Sequence, residues 1–214
     1  MGPGGTPYYR RDLARAHHLG FGFHADACAP GILELLAPIR ERDGLVLELG
    51  CGSGLLTRYL VEAGHRVIAT DASPAMLDLA RDAAGAAEIR RLTLPDDPLP
   101  ATDAIVSVGH VLNYLPDADA LDRSLVAVAE ALRPAGVLAI DLEDLELALL
   151  RSGEPPRGWV GPDWALVTEF SVPAPARPPD GRLLPKRGRL VASRRRAPRE
   201  RPHRHRSRAG AGRR

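Results

Sequence analysis

Glu48, Gly50, Gly52, Gly54 and Asp71 are the residues of this 214-residue chain whose types and spacing can do chemistry. Leu45 to Leu49 is apolar apart from Glu48 and predicts a short buried strand. It stops in a loop with glycine at 50, 52 and 54, and Leu55 to Leu60 begins a helix. Strand, tight glycine turn and helix N-terminus form the nucleotide-binding corner of an open α/β sheet. Glycine is required where a Cβ would obstruct both a positive φ and the close approach of a ligand. The spacing is E-x-G-x-G-x-G, whereas the dinucleotide pattern G-x-G-x-x-G holds a pyrophosphate at the helix N-terminus. A carboxylate at the strand's end repels a pyrophosphate and suits a cationic amino-acid group. Asp71 closes a second expected strand, Arg66 to Thr70 with Val67-Ile68-Ala69 at its centre, where an acid can accept hydrogen bonds from two ribose hydroxyls.

The stretches 45–54 and 66–77 resemble the first and second motifs of the class I S-adenosylmethionine-dependent methyltransferases of small-molecule type. The resemblance covers about residues 8–175 and implies a Rossmann-like, doubly wound, mostly parallel sheet with S-adenosyl-L-methionine as cofactor. It implies that Gly50, Gly52 and Gly54 let the backbone approach the methionine portion, while Glu48 supports the ammonium or the loop. Asp71 and Ala72 fall at the ribose, and Met76 near the adenine. Val108 or Gly109, after a fourth strand, offers a backbone carbonyl to the ammonium. His110 and Asn113 line the acceptor site, with His110 as a candidate general base because imidazole titrates near neutrality. Asp96 or Asp97 stands near the place where many relatives carry an adenine-binding acid, although the usual Gly-Asp pair is missing. Tyr8, Tyr9, His17 and His18 belong to a segment that often folds over the cofactor. Plainer readings stand beside these: Glu48 or Asp71 capping a backbone group, His110 as a packing residue, and Tyr8 to His18 as a surface helix.

The elements that must position these residues alternate. Helices are expected over 8–18 and from Pro30, with a turn at Gly20 to Phe23 between them and a limit at Pro38. Strands follow at 45–49, 66–71, 89–94, 104–108 and 137–140. Helices lie between them at about 54–63, 75–84 (capped by Ser73-Pro74) and 121–132. Arg133 to Gly136 is turn punctuation, and 164–172 reads as one more strand. Such alternation means a parallel, doubly wound sheet. The domain expectation is 1–176 for the cofactor-binding unit, with an N-terminal helical segment 8–40 and a Rossmann-like core 44–150.

At 44% hydrophobic, the chain can bury one α/β core of ordinary size. Acidic residues interrupt the longest apolar stretch, 136–150, which excludes a membrane span there. Cys28 and Cys51 make no disulfide framework, and a reducing cytoplasm is expected. No Cys/His cluster has metal-ligand spacing, so no metal is expected. The formal charge of +2 conceals a split. Residues 1–176 hold 14 arginines against 25 acids, a net of −11; residues 177–214 hold 15 basic and 2 acidic residues, a net of +13.

That basic segment has three readings: a nucleic-acid-binding arm, a disordered tail, or a shifted reading frame in a high-GC gene. Permitted codons for Lys186 to His205, read one base later, can spell Ser-Gly-Asp-Gly-Trp-Trp-Arg-Arg-Asp-Asp-Glu-Arg-His-Glu-Asn-Val-Leu-Ile-Asp-Thr. That string resembles the strand–turn–strand that follows in related enzymes, so the frame reading fits best and the C-terminal strands are expected to be missing. The reading as a whole is methyl transfer to a small-molecule O, N or C acceptor. Its alternatives are a truncated non-catalytic remnant and a nucleic-acid binder. The acceptor and the oligomeric state stay open.

Overall fold

The computed structural model describes residues 9–170 and 188–194. Five parallel strands make the central sheet: β1 Leu45–Leu49, β2 Arg66–Asp71, β3 Glu88–Arg91, β4 Thr102–Ser107 and β5 Leu132–Ile140. Their order is β3-β2-β1-β4-β5, so the winding reverses between β1 and β4. Ligand crevices of open α/β sheets lie outside the carboxyl ends of the strands at such a reversal.

The β1 side chains alternate between the two faces of the sheet. Val46 joins Val67, Ala104 and Val106 under α2 (Gly22–Glu41), α3 (Leu55–Glu62) and α4 (Pro74–Ala83). Leu47 and Leu49 join Ile68 and Ile105 on the opposite face, where Val128 and Ala131 of α5 (Ala118–Ala131) cover them. This period-two alternation, with both faces covered, explains why the central strands β1 and β4 are largely apolar. Leu47 is fully buried. Its truncation to alanine would cost about 2–5 kcal/mol, from lost transfer energy plus the residual cavity.

The structure redraws several boundaries. α2 begins at Gly22, eight residues before the expected start, and runs through Pro30 and Pro38. An internal proline costs a helix about 3 kcal/mol, but Ala25, Ala29, Ile32, Leu36 and Ile39 form one buried stripe along α2. Packing that stripe onto β4 and β5 outweighs the local penalty. The Arg133 to Gly136 punctuation sits inside β5: Leu132 pairs with Thr102, the register shifts, and pairing resumes at Val137–Ala104. Ala135 takes φ 60° in that bulge.

A second, antiparallel sheet follows α6 (Leu145–Ser152). It comprises β6 Arg157–Val160, β7 Trp164–Phe170 and β8 Gly188–Arg194, in that order. Trp164 and Leu166 pack on Ala16 of α1 (Arg11–Gly20), beside Phe21 and Trp159. Within the described residues the parallel sheet stops at β5. One expectation is corrected: Gly188–Arg194 is not irregular but pairs along β7, from Phe170–Gly188 to Trp164–Arg194. An edge strand with unpaired backbone groups is a template for such pairing, whatever the net charge of the partner. The rest of 171–214 lies outside the described residues, as does Tyr8.

Candidate cofactor and acceptor site

The glycine loop after β1 turns through three left-handed residues, Gly50 (φ 69°), Gly52 (φ 55°) and Gly54 (φ 79°). They serve different ends. A Cβ at Gly50 would run into the Val111 side chain, and one at Gly54 would meet Ala80 of α4 and Ala84 just beyond it at 3.1 Å. A Cβ at Gly52 would meet nothing within 4 Å. Gly50 and Gly54 therefore serve packing, whereas Gly52 faces open space. Gly109 (φ 94°), beyond β4, likewise faces open space. The two open glycines lie beyond the carboxyl ends of adjacent strands, as a ligand crevice at the β1/β4 reversal requires.

Asp71 ends β2 and grips both neighbouring turns. Its Oδ2 accepts the Gly52 N–H at 3.0 Å, and its Oδ1 accepts the Ser73 N–H at 2.7 Å. Burial raises its carboxyl above the ordinary 3.8, against the lowering effect of those amide donors. Ser73 then caps α4 by accepting the Met76 N–H at 3.2 Å. Ala72 is half-buried between them, and Met76 is enclosed, at 2% exposure.

Glu48 is buried within the sheet, where the Thr57 hydroxyl donates to its Oε2 at 2.6 Å. Burial is the main reason its carboxyl is pushed up to about 7. It lies in register with Ala69 of β2 and Val106 of β4. Cys51 is buried within the loop, and burial raises its thiol well above 9.0, which disfavours the reactive thiolate.

The N-terminal segment reaches the same loops. His18 Nδ1 lies 2.9 Å from Ser53 Oγ, and Ser73 Oγ donates to the Tyr9 carbonyl at 2.6 Å. The Tyr9 hydroxyl is 3.3 Å from that of Tyr114.

On the β4 side, Val108 is half-buried and packs against the core. His110 takes φ 58°, and its Nδ1 is 3.5 Å from Asp141 Oδ2. His24 of α2 brings its Nε2 to 3.6 Å from the same oxygen. Sequence reasoning did not assign a role to His24 or Asp141. The signal for Asp141 was its place immediately after β5, much as Asp71 closes β2. Asn113, expected to line the acceptor site, faces inward: its Nδ2 donates to the Glu143 carbonyl at 2.8 Å, and its Oδ1 accepts the Glu143 N–H at 3.0 Å. Asp97 accepts the Thr93 N–H at 2.7 Å, and Asp96 lies 3.7 Å from Arg123. Both carboxylates are themselves exposed and already partnered.

Among the described residues no group of three or more His, Cys, Asp or Glu side chains is placed to hold a metal ion, and no helix is long and apolar enough to cross a membrane.

A doubly wound sheet with an open glycine loop and an acid at the next strand's end defines an α/β fold built to hold a nucleoside. Residues 46–136 match the family described as a methyltransferase domain. Among curated relatives, malonyl-[acyl-carrier protein] O-methyltransferase of Pectobacterium atrosepticum is 37% identical over 106 residues, covering 49% of this chain and 41% of that protein. N-demethylindolmycin N-methyltransferase of Streptomyces griseus is 32% identical over 122 residues, covering 52% of each. The chain thus spans about half the length of these relatives. The fold matches that of Streptomyces venezuelae DesVI with a TM-score of 0.65 at 19% identity, over 89% of this chain and 84% of that one. The similarity of residues 46–136 to a methyltransferase domain agrees with the class I S-adenosylmethionine-dependent methyltransferase family that the first two motifs resemble.

Proposed function

We propose that this chain transfers a methyl group from S-adenosylmethionine to a small-molecule oxygen, nitrogen or carbon nucleophile. The observation that carries the reading is the Asp71 carboxylate, which ties the Gly52 amide to the turn before α4 while Gly52 itself faces open space. That arrangement fits the cofactor: Asp71, beside Ala72, takes the ribose hydroxyls, and Gly50, Gly52 and Gly54 shape the loop under the methionine portion. Glu48 supports that loop through Thr57, Met76 backs the adenine side, and the Val108 carbonyl meets the ammonium. The cofactor supplies an electrophilic methyl on a sulfonium, so the chain's task is chiefly to align the acceptor. His110 is the candidate to take the acceptor's proton.

The methyltransferase unit is assigned to residues 1–176. Its net charge of −11 opposes a polyanionic substrate, which favours a small acceptor over nucleic acid. Titration calorimetry with S-adenosylmethionine, followed by transfer of its labelled methyl to a panel of small amines and alcohols, tests the reading. A folded protein that does not bind the cofactor overturns it.

A further inference from the structure

Asp141, at the carboxyl end of β5, accepts two successive backbone amides from the turn after β4. Its Oδ2 takes the Gly109 N–H at 2.9 Å, and its Oδ1 takes the His110 N–H at 2.7 Å. Both donors have left-handed φ, 94° and 58°. Consecutive amides in such conformations converge on one anion, a backbone nest, here filled by a side chain of the same protein. The nest is costly for His110, because a non-glycine residue in this region is strained by about 1–3 kcal/mol. Charge-assisted hydrogen bonds to a carboxylate, roughly twice as strong as neutral ones, offset that strain. The Asp141 backbone is itself fixed by donating its N–H to the Ser107 carbonyl at 3.1 Å.

The amide plane carries the consequence. In a trans peptide the carbonyl points opposite to the N–H of the same plane. Once the Gly109 N–H is aimed at Asp141, the Val108 carbonyl must point away from it. The side of Gly109 on which a Cβ would stand is open. His24 Nε2 and His110 Nδ1, 3.6 and 3.5 Å from Oδ2, flank the carboxylate.

We propose that Asp141 is a positioning residue for the amino-acid end of the cofactor, fixing the direction in which the Val108 carbonyl receives the ammonium. This rests on the functional reading above. It predicts a discrimination that a merely structural role would not produce. S-adenosylhomocysteine has the ammonium, while 5′-methylthioadenosine keeps the nucleoside and lacks the amino-acid end.

The test is calorimetry of both ligands on the full chain and on D141A and D141N. D141A is expected to weaken S-adenosylhomocysteine roughly ten- to a hundredfold, the effect of losing a hydrogen bond to a charged group. Its affinity for 5′-methylthioadenosine should stay within about twofold of wild type by the same reasoning. D141N keeps one acceptor oxygen and should fall between wild type and D141A; it also serves if D141A does not fold. Equal weakening of both ligands, or none, in the folded variants overturns the proposal while leaving the function standing. Wild-type protein that binds neither ligand overturns the function and this inference with it.

Discussion

The Asp71 carboxylate accepts the Gly52 amide at 3.0 Å, so the acid that ends the second strand holds the glycine loop that follows the first. One substitution therefore acts on two parts of the site. On the proposed reading Asp71→Ala removes a ribose acceptor as well as the loop's anchor, and S-adenosylmethionine binding should weaken by about 1.5–3 kcal/mol. Calorimetry on folded mutant protein checks this, and unchanged affinity would remove Asp71 from the ribose site.

Glu48 makes stability depend on pH. Its carboxyl sits at about 7 in the fold against an ordinary 4.5. The folded state thus holds the proton more tightly than the unfolded chain, and stability falls as pH rises from 4.5 to 7. Above that window the whole penalty is present, on the order of 3 kcal/mol for such a shift. Glu48→Gln keeps an acceptor for Thr57 and should flatten the profile. Urea melts between pH 5 and 8 check this: a wild-type midpoint that does not fall relative to the mutant contradicts it.

The glycines separate fold from function. Gly52→Val puts a branched side chain into open space at φ 55° and should abolish cofactor binding while circular dichroism stays near wild type. Gly50→Ala drives a methyl into Val111 and should lower the melting temperature as well. If Gly52→Val binds at wild-type affinity, the ligand does not cross this loop.

Every residue assigned to the cofactor lies between Glu48 and Asp141. A chain ending at Arg194 should therefore bind S-adenosylmethionine as tightly as the full chain. A basic segment that served nucleic acid would instead show in a mobility-shift assay, as binding lost on truncation. If a base has shifted the frame, a gene restored to the alternative frame before codon 186 should give a protein with a higher melting temperature. An unchanged melting temperature would mark the segment as native.

Local chemistry made part of this protein legible in its sequence. The glycine spacing, the acid closing β2, and the Ser73-Pro74 cap all act within a few residues, so turn geometry and strand periodicity reveal them. β1, β2, β4 and the second half of β5 were legible for the same reason, as apolar stretches divided by turns, whereas β3, Glu88–Arg91, carries a single apolar residue. What only the tertiary structure decided depends on which strands lie side by side. Asp141 meets Gly109 because β5 pairs with β4, and no spacing along the chain records that neighbour. Asn113 turned inward because Glu143, thirty residues on, offered both a carbonyl and an amide. α2 continued through Pro30 because its buried stripe found the sheet, a gain far larger than the local signal against it. Residue types fix short-range conformation, and long-range partners are set only when the sheet's order closes around them.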